Sequence, residues 1–465
     1  MTGAWRRIAL AAALALASAC VSAPAHQTPA MPAPPQWDTP ENWRPAAPAD
    51  QLSRGAWWTI FHDDALSALE AQVIAANATI AGAAARYEQA RALASVAVAA
   101  NYPTIDASGA LGESRTSNSS HVSATATNIA LGGAASYEVD LFGKRLRNIE
   151  SARAAETGSA DDLENVRLVL TADLASNYFT LRRLDTEIGV VTRTLAVLDR
   201  ALVVIKARHD GGLVSGLDVA QQETQIESTR TQLTLLRDQR AGVEHAMAVL
   251  AGQPAPGFHV AVAPMPTVVP IVAATGPTDL LERRPDIASA ERAVAVANAK
   301  VGIARTAFFP SLILFGSGGL KTDSLTRILD APSWVWAIGS SIAQNVFDGG
   351  AKKARVGFAE AGYDAAVADY RAATLRAFRE VQDSLTTLGA IDQARASQAL
   401  AVAAADRAST IVNSRYTGGL SNALDVVASQ QALLNAQRIA VQLDGSRFLT
   451  TVQLIKALGG GWTPQ

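Results

Sequence analysis

Hydrophobic and polar positions follow two textures in this chain, and the change between them comes at two corresponding places. From Asp64 to Ala100 the sequence is Ala-rich and helical in pattern, and at Pro103 helix formers give way to Ser, Thr, Gly and Asn. Ile129, Leu131, Gly133, Ala135, Tyr137, Val139 and Leu141 then share one face of a period-two alternation. Asn128, Ala130, Gly132, Ala134, Ser136, Glu138 and Asp140 share the other, which is the mark of a strand. Pro310 to Leu320 reads as a further strand, and Trp334, Trp336, Ile338, Ile342 and Val346 as the apolar face of the next. Polar loops are expected at Gly112 to Ala126 and Lys321 to Ser333. Each half so contributes a strand hairpin, residues 103–142 and 310–347. Its strands are about ten residues long, the length that crosses a bilayer when tilted. A small soluble sheet on a helical body would also have an apolar face. The Trp334 and Trp336 pair near a strand end and the small residues on the opposite face favour lipid contact for Tyr137, Trp334, Trp336 and Ile338.

Beyond each hairpin lies the longest helical material. No proline occurs from Thr104 through Gln253 or from Ser333 through Thr463. Leu146 to Arg208 and Ala351 to Arg415 each extend roughly 95 Å if helical, at 1.5 Å per residue. The doublets Gly211-Gly212 and Gly418-Gly419 stop them, since Gly tolerates the positive φ of a helix end. A second helix then returns antiparallel. Val219, Ile226, Leu233 and Met247 with Leu236, Val243 and Leu250 take heptad a and d positions, and Val426, Leu433, Leu454 and Leu443 do so in the other return arm, so coiled-coil packing is expected. Arg240 and Arg447 interrupt the seam, tolerable if the stems pack and the heads reach solvent.

These parallels are one repeat. Arg208-His209-Asp210-Gly211-Gly212-Leu213 and Leu217-Asp218-Val219 recur 207 positions later as Arg415-Tyr416-Thr417-Gly418-Gly419-Leu420 and Leu424-Asp425-Val426. Gly252 maps onto Gly459 by the same offset. A repeat this long is a duplicated half-molecule, and function belongs to something built by pairing two equivalent halves. The expected division is a signal peptide (1–19), a Pro-rich N-terminal segment (20–56), a first repeat (57–252) turning at 209–217, a Pro-rich connector (253–283), a second repeat (284–459) turning at 416–424, and a tail (460–465).

Composition narrows the function. The chain has 465 residues, 49% of them hydrophobic, and a net charge of −2, which offers no basic footprint for nucleic acid. Trp5-Arg6-Arg7 followed by the apolar run Ile8 to Ala19 is too short to span a bilayer and reads as a secretory signal. The sole cysteine, Cys20, stands where a bacterial lipoprotein carries its acyl chains, although Ala17 replaces the usual lipobox leucine. Val21 after it favours sorting to the outer membrane. Eight prolines between Val21 and Asp50 make the next stretch extended. No other segment reads as a transmembrane helix, so the chain either stays soluble after export or crosses a membrane as strands.

The string Gly276-Pro277-Thr278-Asp279-Leu280-Leu281-Glu282-Arg283-Arg284-Pro285-Asp286-Ile287, with Ala290-Glu291-Arg292 and Phe308-Phe309-Pro310-Ser311, resembles the signature of NodT-type efflux lipoproteins in the TolC-like outer membrane factor family. Asp140-Leu141-Phe142-Gly143-Lys144 and Val346-Phe347-Asp348-Gly349-Gly350 match the ends of that family's two strand hairpins, and the likeness runs from Trp57 to Gly459. Arg284-Pro285-Asp286 also reads as a plain helix start, with Pro at the first turn and Asp beside its amides.

The resemblance implies a mainly α protein with transmembrane β: a homotrimer pooling four strands per chain into an outer-membrane β-barrel and its helical hairpins into a periplasmic α-barrel. It implies a passive conduit for drugs or other small solutes, with a periplasmic adaptor and an inner-membrane pump of RND type as partners, and outer membrane lipid around the strands. Gly211, Gly212, Leu213, Gly418, Gly419 and Leu420 then become adaptor-contact tips. Asp425 and its counterpart Asp218 take the place of the family's acidic ring, with Arg208 and Arg415 as candidate partners and Ala428 where some relatives carry a second Asp. An Asp near a helix N-terminus with no gating role is the equal alternative.

No enzymatic chemistry or cofactor is expected. The six histidines show no ligand spacing, and Gly318-Gly319-Leu320-Lys321-Thr322 lacks the Gly before Lys that a phosphate loop needs. A periplasmic adaptor or coiled-coil scaffold lipoprotein, or the exit duct of a type I secretion system, stands as an alternative.

Overall fold

A computed structural model describes residues 27–30, 37, 55–117, 123–270, 272 and 283–460. Cys20, the signal segment and the tail beyond Gly460 lie outside the described residues. The elements are α1 (Asp64–Ala76), α2 (Ala78–Ala99), β1 (Thr104–Ser117), β2 (Ser123–Val139), α3 (Lys144–Asp210), α4 (Gly216–Leu250), α5 (Pro285–Thr306), β3 (Ser311–Thr322), β4 (Trp334–Ala343), α6 (Ala351–Thr417) and α7 (Ala423–Ala457). The duplication is visible in lengths: α3 and α6 each have 67 residues, α4 and α7 each have 35.

Three expectations about elements need correction. The Ala-rich run is two helices, because Asn77 interrupts it: its Oδ1 accepts from the amides of Thr79 and Ile80 while its Nδ2 donates to the Leu250 carbonyl. An Asn side chain that binds the next turn's donors starts a new helix rather than continuing the old one. The loop expected at Gly112 to Ala126 is mostly strand, since the β1–β2 ladder continues from Thr104↔Ser136 to Ser117↔Ser123. At their far ends these strands are polar on both faces, so alternation could not reveal them. Leu141 and Val346, in turn, lie past the ends of β2 and β4.

The chain forms two compact units that cut across the repeats, each drawing segments from both. The first unit takes residues 86–160 and 289–371 with 27–30. It holds the sheet, in the order β1-β2-β3-β4 with every neighbouring pair antiparallel. The two hairpins are thus fused through β2 and β3, from Ile129↔Thr322 to Val139↔Leu312. Below the sheet Phe142 stacks on Phe309 at 4.8 Å, and α3 meets α5 closely where Gly158 faces Arg292 and Gly302 faces Arg147.

The second unit contains α1, most of α3 and α6, and the return helices α4 and α7. Its centre is aromatic: Phe61, Phe179 and Phe448 lie within 6.2 Å of one another, and Trp57 donates to Thr171 Oγ1 at 3.1 Å. Asp63 caps α1, accepting from the Leu66 amide and from the Tyr178 hydroxyl. Arg284 does more than start a helix. Its buried guanidinium bonds Asp286, Glu380 and the Ala457 carbonyl, joining the beginning of α5 to α6 and to the end of α7. Arg240 does not reach for solvent either; it binds Asp185 and Glu244, both nearly fully buried. Burial of these carboxylates is tolerated because each is paired with a guanidinium.

Candidate functional site

Two places bring the sequence-derived candidates together: one face of the sheet, and the turns at the ends of the long helices.

The strand register puts Ile105, Leu111, Leu131, Leu314, Leu320, Trp334, Trp336, Ile338 and Ile342 on one face of all four strands. Most of them are exposed, Trp336 by 79% and Ile338 by 80%. A continuous apolar face of this kind is rare on a monomeric soluble protein and marks contact with a partner or with lipid. Trp334 sits opposite Leu320 at the end of the sheet near the β3–β4 loop, whereas Tyr137, opposite Leu314, lies toward the helices. Tyr137 is half-buried under the Arg145 guanidinium, 5.1 Å from its ring centroid. The other face carries Asp106, Ser108, Ala134, Ser136, Ser317 and Ser341, but also Ile313, Phe315 and Val335, so it is mixed rather than uniformly small as the alternation suggested. Among the described residues β1 and β4 have no neighbour on their outer sides.

At the helix turns the two halves use the same geometry. The Leu213 amide bonds the Arg208 carbonyl and the Leu420 amide bonds the Arg415 carbonyl, both at 2.8 Å, closing the six-residue loop of a Schellman end. Gly212 and Gly419 both have φ +72°, a conformation that disfavours a Cβ. Gly211 and Gly418 do not adopt it, so only the second glycine of each doublet is demanded by the turn. Leu213 and Leu420 are exposed just past it.

Asp218 and Asp425 occupy the third position of α4 and α7, each in a capping box. Ser215 donates to Asp218 through both its amide and its hydroxyl at 2.9 Å. The Asp425 amide donates to Asn422 Oδ1 at 2.8 Å, and the Asp425 carboxylate accepts from Ser421 Oγ at 2.7 Å and from the Asn422 amide. Such boxes satisfy amides that a helix start leaves open. Asp425 is exposed, so the cap leaves part of its carboxylate facing outward.

Within the chain Arg208 and Arg415 do not meet these acids. Arg208 donates to the carbonyls of Tyr416 and Thr417 and lies 4.7 Å over the Tyr416 ring, tying the end of α3 to the end of α6. Arg415 donates to the Leu420 carbonyl in its own turn. Tyr416, missed as a site residue, forms a small core with Ile205, Ala423 and Val426, and among the described residues its buried hydroxyl has no hydrogen-bond partner. An aromatic side chain directly after the repeated arginine was the available signal. Among the described residues no cluster of His, Cys, Asp and Glu is placed to hold a metal ion.

A family model described as outer membrane efflux protein matches residues 69–253 and 276–460, two segments again 207 positions apart. The chain is 32% identical to the pyoverdine export outer membrane protein OpmQ of Pseudomonas aeruginosa, over 98% of this chain and 97% of that one. It is 30% identical to the solvent efflux pump outer membrane protein SrpC of Pseudomonas putida, over 97% of both. Among solved structures it resembles the outer-membrane channel OprN with a TM-score of 0.89 and 26% identity, covering 96% of this chain and all of that one.

Proposed function

Because the chain belongs to the outer membrane efflux protein family, we propose that three copies of it close into one duct that carries small solutes from the periplasm to the exterior. The protein is an outer membrane channel component of an efflux system, and the family is one of channels. The observation that carries the assembly is the sheet. It has an exposed apolar face, a mixed face on which serines stand beside Ile313, Phe315 and Val335, and two open edges. Open edges cannot remain in hydrocarbon, where every backbone donor and acceptor must be paired. Four strands are too few to close a barrel, whereas β4 of one copy pairing with β1 of the next, three times over, abolishes the edges. The apolar face then meets lipid and the side carrying Ser136 and Ser317 lines the lumen.

The chain itself is not an enzyme in this reading, and the energy for transport comes from an inner-membrane pump of RND type through a periplasmic adaptor. Cys20 is acylated after removal of residues 1–19 and adds a second anchor to the barrel. The turns at Gly211 to Leu213 and Gly418 to Leu420 contact the adaptor. Asp425, with Asp218 behind it, faces the axis as three copies of an exposed carboxylate, held at a fixed height by its cap. An adaptor or scaffold would leave the apolar sheet face without a purpose. Reconstitution in planar bilayers tests the reading: detergent-purified protein should be trimeric and conduct. A Cys20→Ser chain that is monomeric and soluble without detergent would overturn it. Co-purification with a tagged RND transporter, rather than with a type I secretion pump, distinguishes the two kinds of exit duct.

A further inference from the structure

The duplication builds one groove twice at the base of the sheet, and the two copies differ in charge. In the first half Leu93 and Val96 of α2 line a groove of about 590 Å³ with Arg145, Asn148 and Ser151 of α3. In the second half the residues 207 positions later, Lys300 and Ile303 of α5 with Lys352, Arg355 and Phe358 of α6, line a groove of about 1040 Å³. Lys300 stands at the border and lines both. Glu138, Ser311 and Ala343, from the sheet face that carries Ser136 and Ser317, also line the larger groove. It therefore opens on the side that a trimeric duct turns toward its lumen.

Most charges in the larger groove are already engaged. Glu138 binds Lys144 at 3.1 Å, and Asp140 accepts from the Leu146 amide at 2.9 Å. Lys352 donates to the Asn345 carbonyl, as its counterpart Arg145 donates to the Glu138 carbonyl. Two cations are left over: Lys300 and Arg355 are exposed, and among the described residues neither makes an ion pair or a hydrogen bond. The walls around them are apolar, with Leu141, Ile303, the stacked Phe142 and Phe309, and Phe358, which is 83% exposed. A concavity of this size with apolar walls and a few convergent polar groups takes a drug-sized molecule. Unpaired cations beside an exposed ring suit an anionic head on an apolar body, since a neutral hydrocarbon leaves the charges unused and a small hydrophilic anion leaves the walls unused.

We propose that the groove at Lys300, Arg355 and Phe358 is a binding site for amphipathic organic anions passing through the duct, molecules with an apolar ring body and one sulfonate or carboxylate group. The site rests on the trimeric reading, because only there does this side of the sheet line the path of a solute. The first half supplies an internal control, for Leu93, Asn148 and Ser151 stand at the places of Lys300, Arg355 and Phe358. The probe is a naphthalenesulfonate bearing an aryl azide, with its uncharged sulfonamide for comparison. Each is added to the full-length protein in lipid nanodiscs and fixed by light, and labelled residues are mapped by mass spectrometry. Trimer yield and bilayer conductance are measured on the same preparation.

The expected result is saturable labelling of α5 and α6 by the sulfonate, with the sulfonamide weaker on the order of tenfold because it forfeits the charge-assisted bonds. Lys300→Leu combined with Arg355→Asn, which installs the first half's own residues, should bring the sulfonate down to the affinity of the sulfonamide. Phe358→Ser, which keeps both charges, should weaken the two probes alike. Trimers that conduct but show no saturable labelling of α5 and α6 up to ~1 mM, as when a neighbouring copy fills the groove, overturn the site and leave the duct standing. Equal affinity for the two probes overturns it as well, and so does an affinity for the sulfonate that the double variant leaves unchanged. A chain that neither trimerises nor conducts overturns the duct, and the site falls with it.

Discussion

Gly318 and Gly319 are neighbours in β3, yet substitution should separate them sharply. Gly319 lies opposite Gly132 in the β2–β3 ladder, the seam that fuses the two hairpins. A Cβ on Gly319 would stand 2.5 Å from the Leu131 carbonyl oxygen and 2.6 Å from the Gly132 Cα, both backbone atoms with no rotamer to escape into. Nothing lies within 4 Å of a Cβ on Gly318. Relieving the first contact requires the strands to part by roughly an ångström, enough to stretch a normal N–H···O bond beyond its range. Overpacking costs about 1 to 3 kcal/mol, and losing two ladder bonds adds about 1 to 3 kcal/mol, more in hydrocarbon where no water replaces them. Gly319→Val should therefore lose about 2 to 6 kcal/mol per chain and most of its assembled trimer. Gly318→Val, which adds a β-branched side chain to the apolar face, should assemble as the parent does. Outer membrane fractions run on semi-native gels across a temperature series measure both. Equal trimer yield and equal melting for Gly319→Val would show that β2 and β3 are not paired in this register.

Ile338→Arg places a charge on the exposed apolar face, costs about 2 to 4 kcal/mol at mid-bilayer, and should cut trimer yield, measured on the same gels. Asp425→Ala should raise single-channel conductance and lower cation preference in planar bilayers, at a cost of about 1 kcal/mol from the lost cap; unchanged conductance and selectivity would reduce Asp425 to its capping role. Glu70 is fully buried on α1, has no hydrogen-bond partner among the described residues, and burial pushes its carboxyl from 4.5 up to about 9. The folded chain keeps a proton there that the unfolded chain has released, so stability should fall as pH rises from about 5 to about 9, by at most ~1.4 kcal/mol per pH unit. Glu70→Gln should flatten that dependence in thermal melts at pH 5 and pH 8, and parallel slopes for variant and parent would refute it. Cys20→Ser should abolish acyl labelling while much of the trimer stays in the outer membrane; intact mass showing a mature chain that starts elsewhere without lipid would dispose of the anchor.

What the sequence revealed, and what it hid, follows from which forces leave a local trace. Alternation around Leu131 and Trp336 exposed the strands because one face is apolar throughout. The polar reach from Gly112 to Ser117 read as loop because neither face there is apolar. Nothing in the period of β2 or β3 announced that the hairpins share an edge, since that pairing depends on contacts across the repeat. The glycine doublets located both turns but not which glycine carries the positive φ. Arg240 looked like a seam residue whose head seeks water, because the residues that surround it, Asp185 and Val260, come from distant parts of the chain. The link from Arg208 to the Tyr416 carbonyl was hidden for the same reason, although both residues stand in the repeated motif.

The equal lengths of the paired helices carry a consequence for how such a chain can change over time. Arg208 reaches the last carbonyls of α6, and Gln225 on α4 bonds Gln431 on α7, so the two hairpins are held level with one another. One residue inserted into α3 alone would advance its end by about 1.5 Å and turn it by about 100°, carrying Arg208 away from the carbonyls it binds. A seven-residue insertion nearly restores the facing, with a drift of about 20°, but still leaves one tip about 10 Å ahead of the other. Residue identities in the two halves are free to diverge one at a time, whereas their lengths are not. Any lineage that lengthens or shortens one hairpin must make the matching change in the other, so gaps in aligned relatives should come in pairs 207 positions apart.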